Sequence, residues 1–167
     1  KAASKLRKKR NDFEIWIVGS RNEIDTELKN LVKSLDLVDN VKFFGRISDS
    51  ELSKLYSQAL VTTHLVKEAP FGLIVIESMS CKTPVISWMP GGPEETIIEG
   101  ETGFLIPENN EDALIEKIEM FLDSHDLSNK MGEAARQRVE KHFDLSQHHS
   151  TMRDHLIDWI NKKSRNK

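Results

Sequence analysis

At 167 residues the chain has the length of one compact domain, with room for a sizeable core. Hydrophobic residues make up 38% and charged residues 31%, with 8 Gly and 5 Pro, which excludes collagen-like, low-complexity and wholly disordered chains. A formal net charge of -3, from 24 basic and 27 acidic residues, offers no global basic field to nucleic acid or to an anionic membrane. The asymmetry is local. Lys1, Lys5, Arg7, Lys8, Lys9 and Arg10 form a basic block, and 161–167 form a basic tail. Neither carries interleaved aromatics to stack on bases, so each reads as a solvated helix end.

Phe13 to Val18 alternates apolar with mixed residues and stops at Gly19-Ser20, the pattern of a strand ending in a loop. Ile24, Leu28, Leu31 and Leu35 then recur at helical spacing and predict an amphipathic helix from about Glu23 to Leu37. Val41 to Phe44 reads as a short strand closed by Gly45. Ser48 and Glu51 have capping-box spacing ahead of a stripe of Leu52, Leu55, Tyr56 and Ala59. Leu60 to Thr63 is a third strand, Leu73 to Cys81 a helix, Pro84 to Trp88 a further strand, and Gly103 to Ile106 a last one ended by Pro107. Beyond it the pattern is wholly helical, through Leu114, Ile118, Phe121, then Met131, Ala135, Val139, then Met152, Leu156, Trp159 and Ile160.

Strands separated by helix-length segments predict an α/β fold: a doubly wound, mainly parallel Rossmann-like sheet with helices on both faces and a helical C-terminus. Ligands of such sheets sit beyond the carboxyl ends of the strands, which directs attention to the loops after Val18, Phe44, Thr63, Trp88 and Ile106. The longest apolar run, Leu73 to Ile76, is far short of the ~20 residues of a spanning helix. The single cysteine, Cys81, excludes an internal disulfide and reads as a small buried residue. A cytoplasmic location is the simplest fit.

His64 to Met79 is the most informative stretch. It leads from a strand, through a loop with Glu68 and Pro70-Phe71-Gly72, into an apolar first helical turn. Gly72 permits close backbone approach, and the unpaired amides of that turn, aided by the helix dipole, suit a phosphate. Glu77 follows one turn later, where a carboxylate can accept from two sugar hydroxyls. Spacing alone favours the plainer alternative, a solvent-facing Glu77 and an ordinary loop acid at Glu68.

Resemblance reverses that preference. The runs Glu68-Ala69-Pro70-Phe71-Gly72-Leu73, Ile76-Glu77-Ser78-Met79-Ser80-Cys81-Lys82-Thr83-Pro84-Val85-Ile86, Gly91-Gly92-Pro93-Glu94-Glu95-Thr96 and Glu99-Gly100-Glu101-Thr102-Gly103-Phe104-Leu105-Ile106-Pro107 stand in the order of the C-terminal domain of family-4 type retaining glycosyltransferases, which they closely resemble. The resemblance reaches back through Val18-Gly19 and Val41 to Arg46, and forward to Phe143-Asp144. It implies a GT-B fold of two facing Rossmann-like domains, and transfer of a hexosyl group from a nucleotide-diphosphate sugar with retention. This half holds the donor. Position by position it implies that Glu77 binds the donor's ribose, that Phe71, Gly72, Leu73 and Ile74 face the diphosphate, and that Glu68 lies near the donor sugar as the catalytic carboxylate. Gly19, Phe44, Gly45, Gly91, Gly92 and Glu95 complete the donor-binding set, with base selection near Phe44, Gly45 and Arg46.

The chain departs from the family pattern at two places. The family has seven residues between its glutamates and one before Phe-Gly, whereas Ala69 and Pro70 both precede Phe71 here, setting Glu68 one residue upstream. Either the loop bulges to restore the carboxylate or its role has weakened. Lys82 stands where the family has Gly after Cys, at a cost of ~1 kcal/mol if its backbone is left-handed. His64 borders the proposed site, while His148, His149 and His155 have the look of surface residues. No Asp-x-Asp occurs, in keeping with an enzyme that needs neither metal nor cofactor. The resemblance further implies a partner acceptor domain upstream of residue 1, through which peripheral membrane contact would be made. It also implies that the strand belonging in the middle of the sheet precedes residue 1, and that the chain alone binds donor without turnover. The competing readings are a noncatalytic nucleotide-binding or regulatory domain of the same fold and a protein-interaction module using the basic N-terminal helix.

Overall fold

The computed structural model describes residues 1–19 and 22–165. Ser20, where the first loop begins, and Asn166 and Lys167 of the basic tail lie outside the described residues, as do the side chains of Ile24 and His148. The elements in order are α1 (Ala2–Arg7), β1 (Ile15–Val18), α2 (Asn22–Ser34), β2 (Val41–Gly45), α3 (Asp49–Gln58), β3 (Thr62–His64), α4 (Leu73–Ser80), β4 (Val85–Met89), α5 (Pro93–Thr96), β5 (Gly103–Pro107), α6 (Glu111–Asp123), α7 (His125–His142) and α8 (Leu145–Arg165). The predicted α/β alternation is present and every strand pair is parallel. The strands form two sheets, β1-β2 and β3-β4-β5.

Local chemistry explains the boundaries. Ser48 and Glu51 form the capping box of α3, the Ser48 hydroxyl accepting from the Glu51 amide while the Glu51 carboxylate accepts from the Ser48 amide. Asn110 and Ser124 cap α6 and α7 by the side chain alone, accepting from the Ala113 and Leu127 amides. α2 ends three residues before the predicted Leu37, because Asp36 turns left-handed at φ 55 and Leu37 folds back to donate to the Val32 carbonyl. β3 starts at Thr62, whose amide meets the Pro84 carbonyl, so Leu60 and Val61 serve as half-buried packing instead of ladder. α5 is a single turn with Pro93 in its first turn, in a run whose glycines read as loop. Lys82 is left-handed at φ 61, beside Gly132 of α7, where an added Cβ would lie 2.0 Å from the Lys82 carbonyl oxygen.

Successive strand residues point to opposite faces, and the three-stranded sheet carries a core on each. Val85 joins Val75, Met79, Ile97, Ala135 and Val139 on one side, and Ile86 joins Phe104, Ile106, Leu114, Phe121 and Met131 on the other. The basic N-terminal block is zipped to the acidic face of α6. Lys5 pairs with Glu111 and Asp112, Lys9 with Glu119, and Arg10 with Asp123, around a buried Leu6. No helix among the described residues is long and apolar enough to cross a membrane.

Candidate functional site at the start of α4

β3 ends on His64, whose buried Nδ1 lies 3.1 Å from the Ser87 Oγ of β4, and Ser87 in turn donates to the His64 carbonyl at 3.0 Å. Burial pushes the His64 pKa below its ordinary value, which keeps the ring neutral under the loop above it. The loop enters α4 at Gly72, left-handed at φ 81 and ψ 63. That conformation calls for glycine, and an added Cβ there would lie 3.2 Å from Val75 Cγ2, a tight contact, and 3.5 Å from His64 Cε1, an ordinary one. Gly72 has no side chain to cap the helix, so α4 begins without a side-chain cap beside the exposed Leu73 and Ile74, and the Val75 amide turns back to the Gly72 carbonyl at 2.9 Å. Such a terminus favours an anion.

The two glycine-bearing motifs, about twenty residues apart in the sequence, meet here. Gly92 donates to the Ala69 carbonyl at 2.7 Å, and an added Cβ on it would come within 2.4 Å of the Phe71 Cα. Gly91 has a positive φ of 151, a conformation that favours glycine, and donates to the Glu94 carboxylate at 2.8 Å. That carboxylate is the neighbour of the predicted Glu95, whose own side chain is exposed on α5. Phe71, Gly72, Leu73, Ile74, Gly91 and Gly92 therefore form one cluster. Glu68 is exposed and left-handed at φ 48, immediately before the buried Ala69.

Glu77 stands one turn along α4 and accepts from the Tyr56 hydroxyl of α3 at 3.4 Å. Burial first, then the charge of Glu77, pushes the Tyr56 pKa up to about 12, so the phenol stays a donor. Both line an open cleft of about 360 Å³ between α3 (Asp49, Ser53, Tyr56) and α4 (Glu77, Ser80) that ends at Cys81. Cys81 is half-buried with its Sγ 3.8 Å from Ser53 Oγ, where the sequence reading has it buried. Tyr56 escaped the sequence reading as a site residue because it fits the apolar stripe of α3, and spacing carries no sign of its hydroxyl. Gly19, Phe44 and Gly45 form a second group at the carboxyl end of the β1-β2 sheet. The Gly19 amide donates to the Gly45 carbonyl at 2.8 Å, both glycines have positive φ (109 and 64), and Phe44 meets Trp16 edge-on at 5.9 Å.

Residues 1–138 match the family described as glycosyl transferases group 1. N-acetyl-alpha-D-glucosaminyl L-malate synthase of Bacillus anthracis is 31% identical over 156 residues, 91% of this chain and 40% of its own. Mouse alpha-1,3/1,6-mannosyltransferase ALG2 is 31% identical over 136 residues, 81% of this chain and 32% of its own. Sucrose-phosphate synthase of Thermosynechococcus elongatus superposes with a TM-score of 0.87 at 28% identity, over 96% of this chain and 42% of its own. Anabaena Alr3699/HepE, solved in complex with UDP, shares the fold at a TM-score of 0.83 and 22% identity, over 94% of this chain and 44% of its own. The chain thus spans less than half the length of each of these proteins.

Proposed function

The chain belongs to the group 1 glycosyl transferases, and from that premise we propose that it is the donor-binding unit of a retaining hexosyltransferase that takes a nucleotide-diphosphate sugar. The observation that carries the proposal is the seating of Gly91-Gly92 on Phe71-Gly72 at an uncapped helix start, with Glu77 one turn beyond. The diphosphate would accept from the first-turn amides of α4. The carboxylate of Glu77, steadied by Tyr56, would accept from the ribose hydroxyls. As the bond from anomeric carbon to phosphate oxygen breaks, charge gathers on the departing diphosphate, where preorganised amides and the helix dipole favour it most. Glu68 would stand near the oxocarbenium-like sugar. Its left-handed backbone is a local irregularity of the kind found at functional loops, and it falls where the extra residue before Phe-Gly must be absorbed.

The remainder of the enzyme would lie outside these residues. The strand that would join the β1-β2 sheet to the β3-β4-β5 sheet would come from residues outside these, as would an acceptor-binding half, which the partial coverage of the relatives supports. Until it is joined, the chain would bind donor without turnover. A single cysteine and no disulfide framework support a cytoplasmic location.

The test is a titration of the chain with UDP and with GDP, UDP being the nucleotide bound to HepE. Glu77→Ala removes charge-assisted hydrogen bonds and weakens the bound nucleotide by about 10- to 100-fold. Tyr56→Phe keeps the carboxylate and weakens it by only a few-fold, about 1 kcal/mol or less. Equal affinity in Glu77→Ala and the unaltered chain would remove Glu77 from the site.

A further inference from the structure

Phe71, the exposed aromatic of the loop, meets Phe143 edge to face with ring centroids 6.2 Å apart. Phe143 is the C-cap of α7, and its ring lies 5.8 Å from the Arg138 guanidinium. Arg138 also reaches α5, donating from Nε to the Thr96 carbonyl at 2.6 Å and from Nη2 to the Glu95 carbonyl at 2.7 Å. At its other end α5 begins at Gly92, which is pressed against the Phe71 backbone. The contacts close a ring: loop, Phe143, Arg138, α5, loop. Arginine is suited to this corner because its planar fork can serve two successive carbonyls while its face stacks on an aromatic, and its charge complements the negative end of α5. Lysine can do only part of this.

We propose that Arg138 and Phe143 are positioning residues for the diphosphate loop. They hold Pro70-Phe71-Gly72 against α5, so that the first-turn amides of α4 are set before a ligand arrives. The proposal rests on the donor-site reading for the ligand's identity, though the ring itself does not. Because α8 begins at Leu145, the same ring ties the root of that helix to the loop.

The test uses the full chain with Arg138→Ala, Arg138→Lys and Phe143→Leu, following amide hydrogen exchange without ligand and affinity for UDP and GDP. Arg138→Ala speeds exchange about tenfold or more at Gly92, whose amide donates to the Ala69 carbonyl, and at Val75, whose amide donates to the Gly72 carbonyl, while β4 and β5 keep their protection. Nucleotide affinity falls about tenfold, and Arg138→Lys restores only part of it. Phe143→Leu loosens Gly92 and Val75 and leaves Glu95 and Ile97 of the α5 turn protected. Unchanged exchange at Gly92 and Val75 in Arg138→Ala overturns the proposal, whatever happens to affinity. Should Arg138→Ala loosen β4 and β5 as well, Phe143→Leu decides, and unchanged exchange at Gly92 and Val75 there overturns it. If the unaltered chain binds neither nucleotide, the donor reading fails, and the exchange arm still decides whether the ring positions the loop.

Discussion

Gly92 and Gly100 are glycines for opposite reasons, which makes them a useful pair. Gly92 has an ordinary right-handed backbone at φ -51, and it is the Phe71 backbone that excludes a side chain. Gly100 is left-handed at φ 74 with nothing within 4 Å of an added Cβ. Gly100→Ala should therefore cost about 1 kcal/mol of backbone strain, and Gly92→Ala more, about 3 kcal/mol, because two backbones must part. Thermal unfolding compares them, and a reversed order would contradict the packing at Gly92. His64 supplies a pH test. Its folded pKa is depressed by burial, so below its ordinary value of 6.5 the unfolded chain binds more protons than the folded one. The stability is complete above that pH and declines as pH falls through it. His64→Gln should remove that part of the acid dependence, and an unaltered pH profile would show that His64 titrates freely when folded. Gly72 and Glu77 were legible as residues from spacing and resemblance. The hydroxyl of Tyr56, the neutral ring of His64 and the clamp of Arg138 were not, since each depends on a neighbour more than twenty residues away in the chain.

At the scale of elements, hydrophobic period and capping chemistry announced the helices that carry them. Ser48 and Glu51 marked α3 because both halves of a capping box are local. α5 gave no such signal, being one turn long and held by tertiary contacts from Arg138. The start of β3 likewise depends on where Pro84 offers its carbonyl. For α1, the basic pattern was plain but not its partner. Its ion pairs with α6 are solvated and contribute little, whereas Leu6 is 2% exposed. Replacing Lys5 and Lys9 together with Ala should change stability by less than about 1 kcal/mol, and Leu6→Ala should cost about 3 kcal/mol. Chemical denaturation distinguishes the two, and a larger loss from the lysines would mean that charge, not burial, docks α1.

For the whole molecule, the parallel α/β plan followed from the alternation of patterns, but the division into two sheets is a matter of which edges pair. The two cores draw on β4 and β5, with half-buried residues beside β3, and neither includes a residue of β1 or β2. The β1-α2-β2 unit should accordingly open more readily. Native-state hydrogen exchange is expected to show weaker protection in β1 and β2 than in β4 and β5; equal protection would mean that the two sheets unfold as one. Within the whole molecule, the proposed site for a nucleoside diphosphate is the start of α4. Amide chemical shifts of the chain titrated with UDP and GDP test it most directly. Saturable shifts are expected to concentrate at Gly72, Leu73, Ile74, Glu77, Gly91 and Gly92 with at least one of the two nucleotides. Amides of that cluster left unmoved by saturating concentrations of both would contradict it.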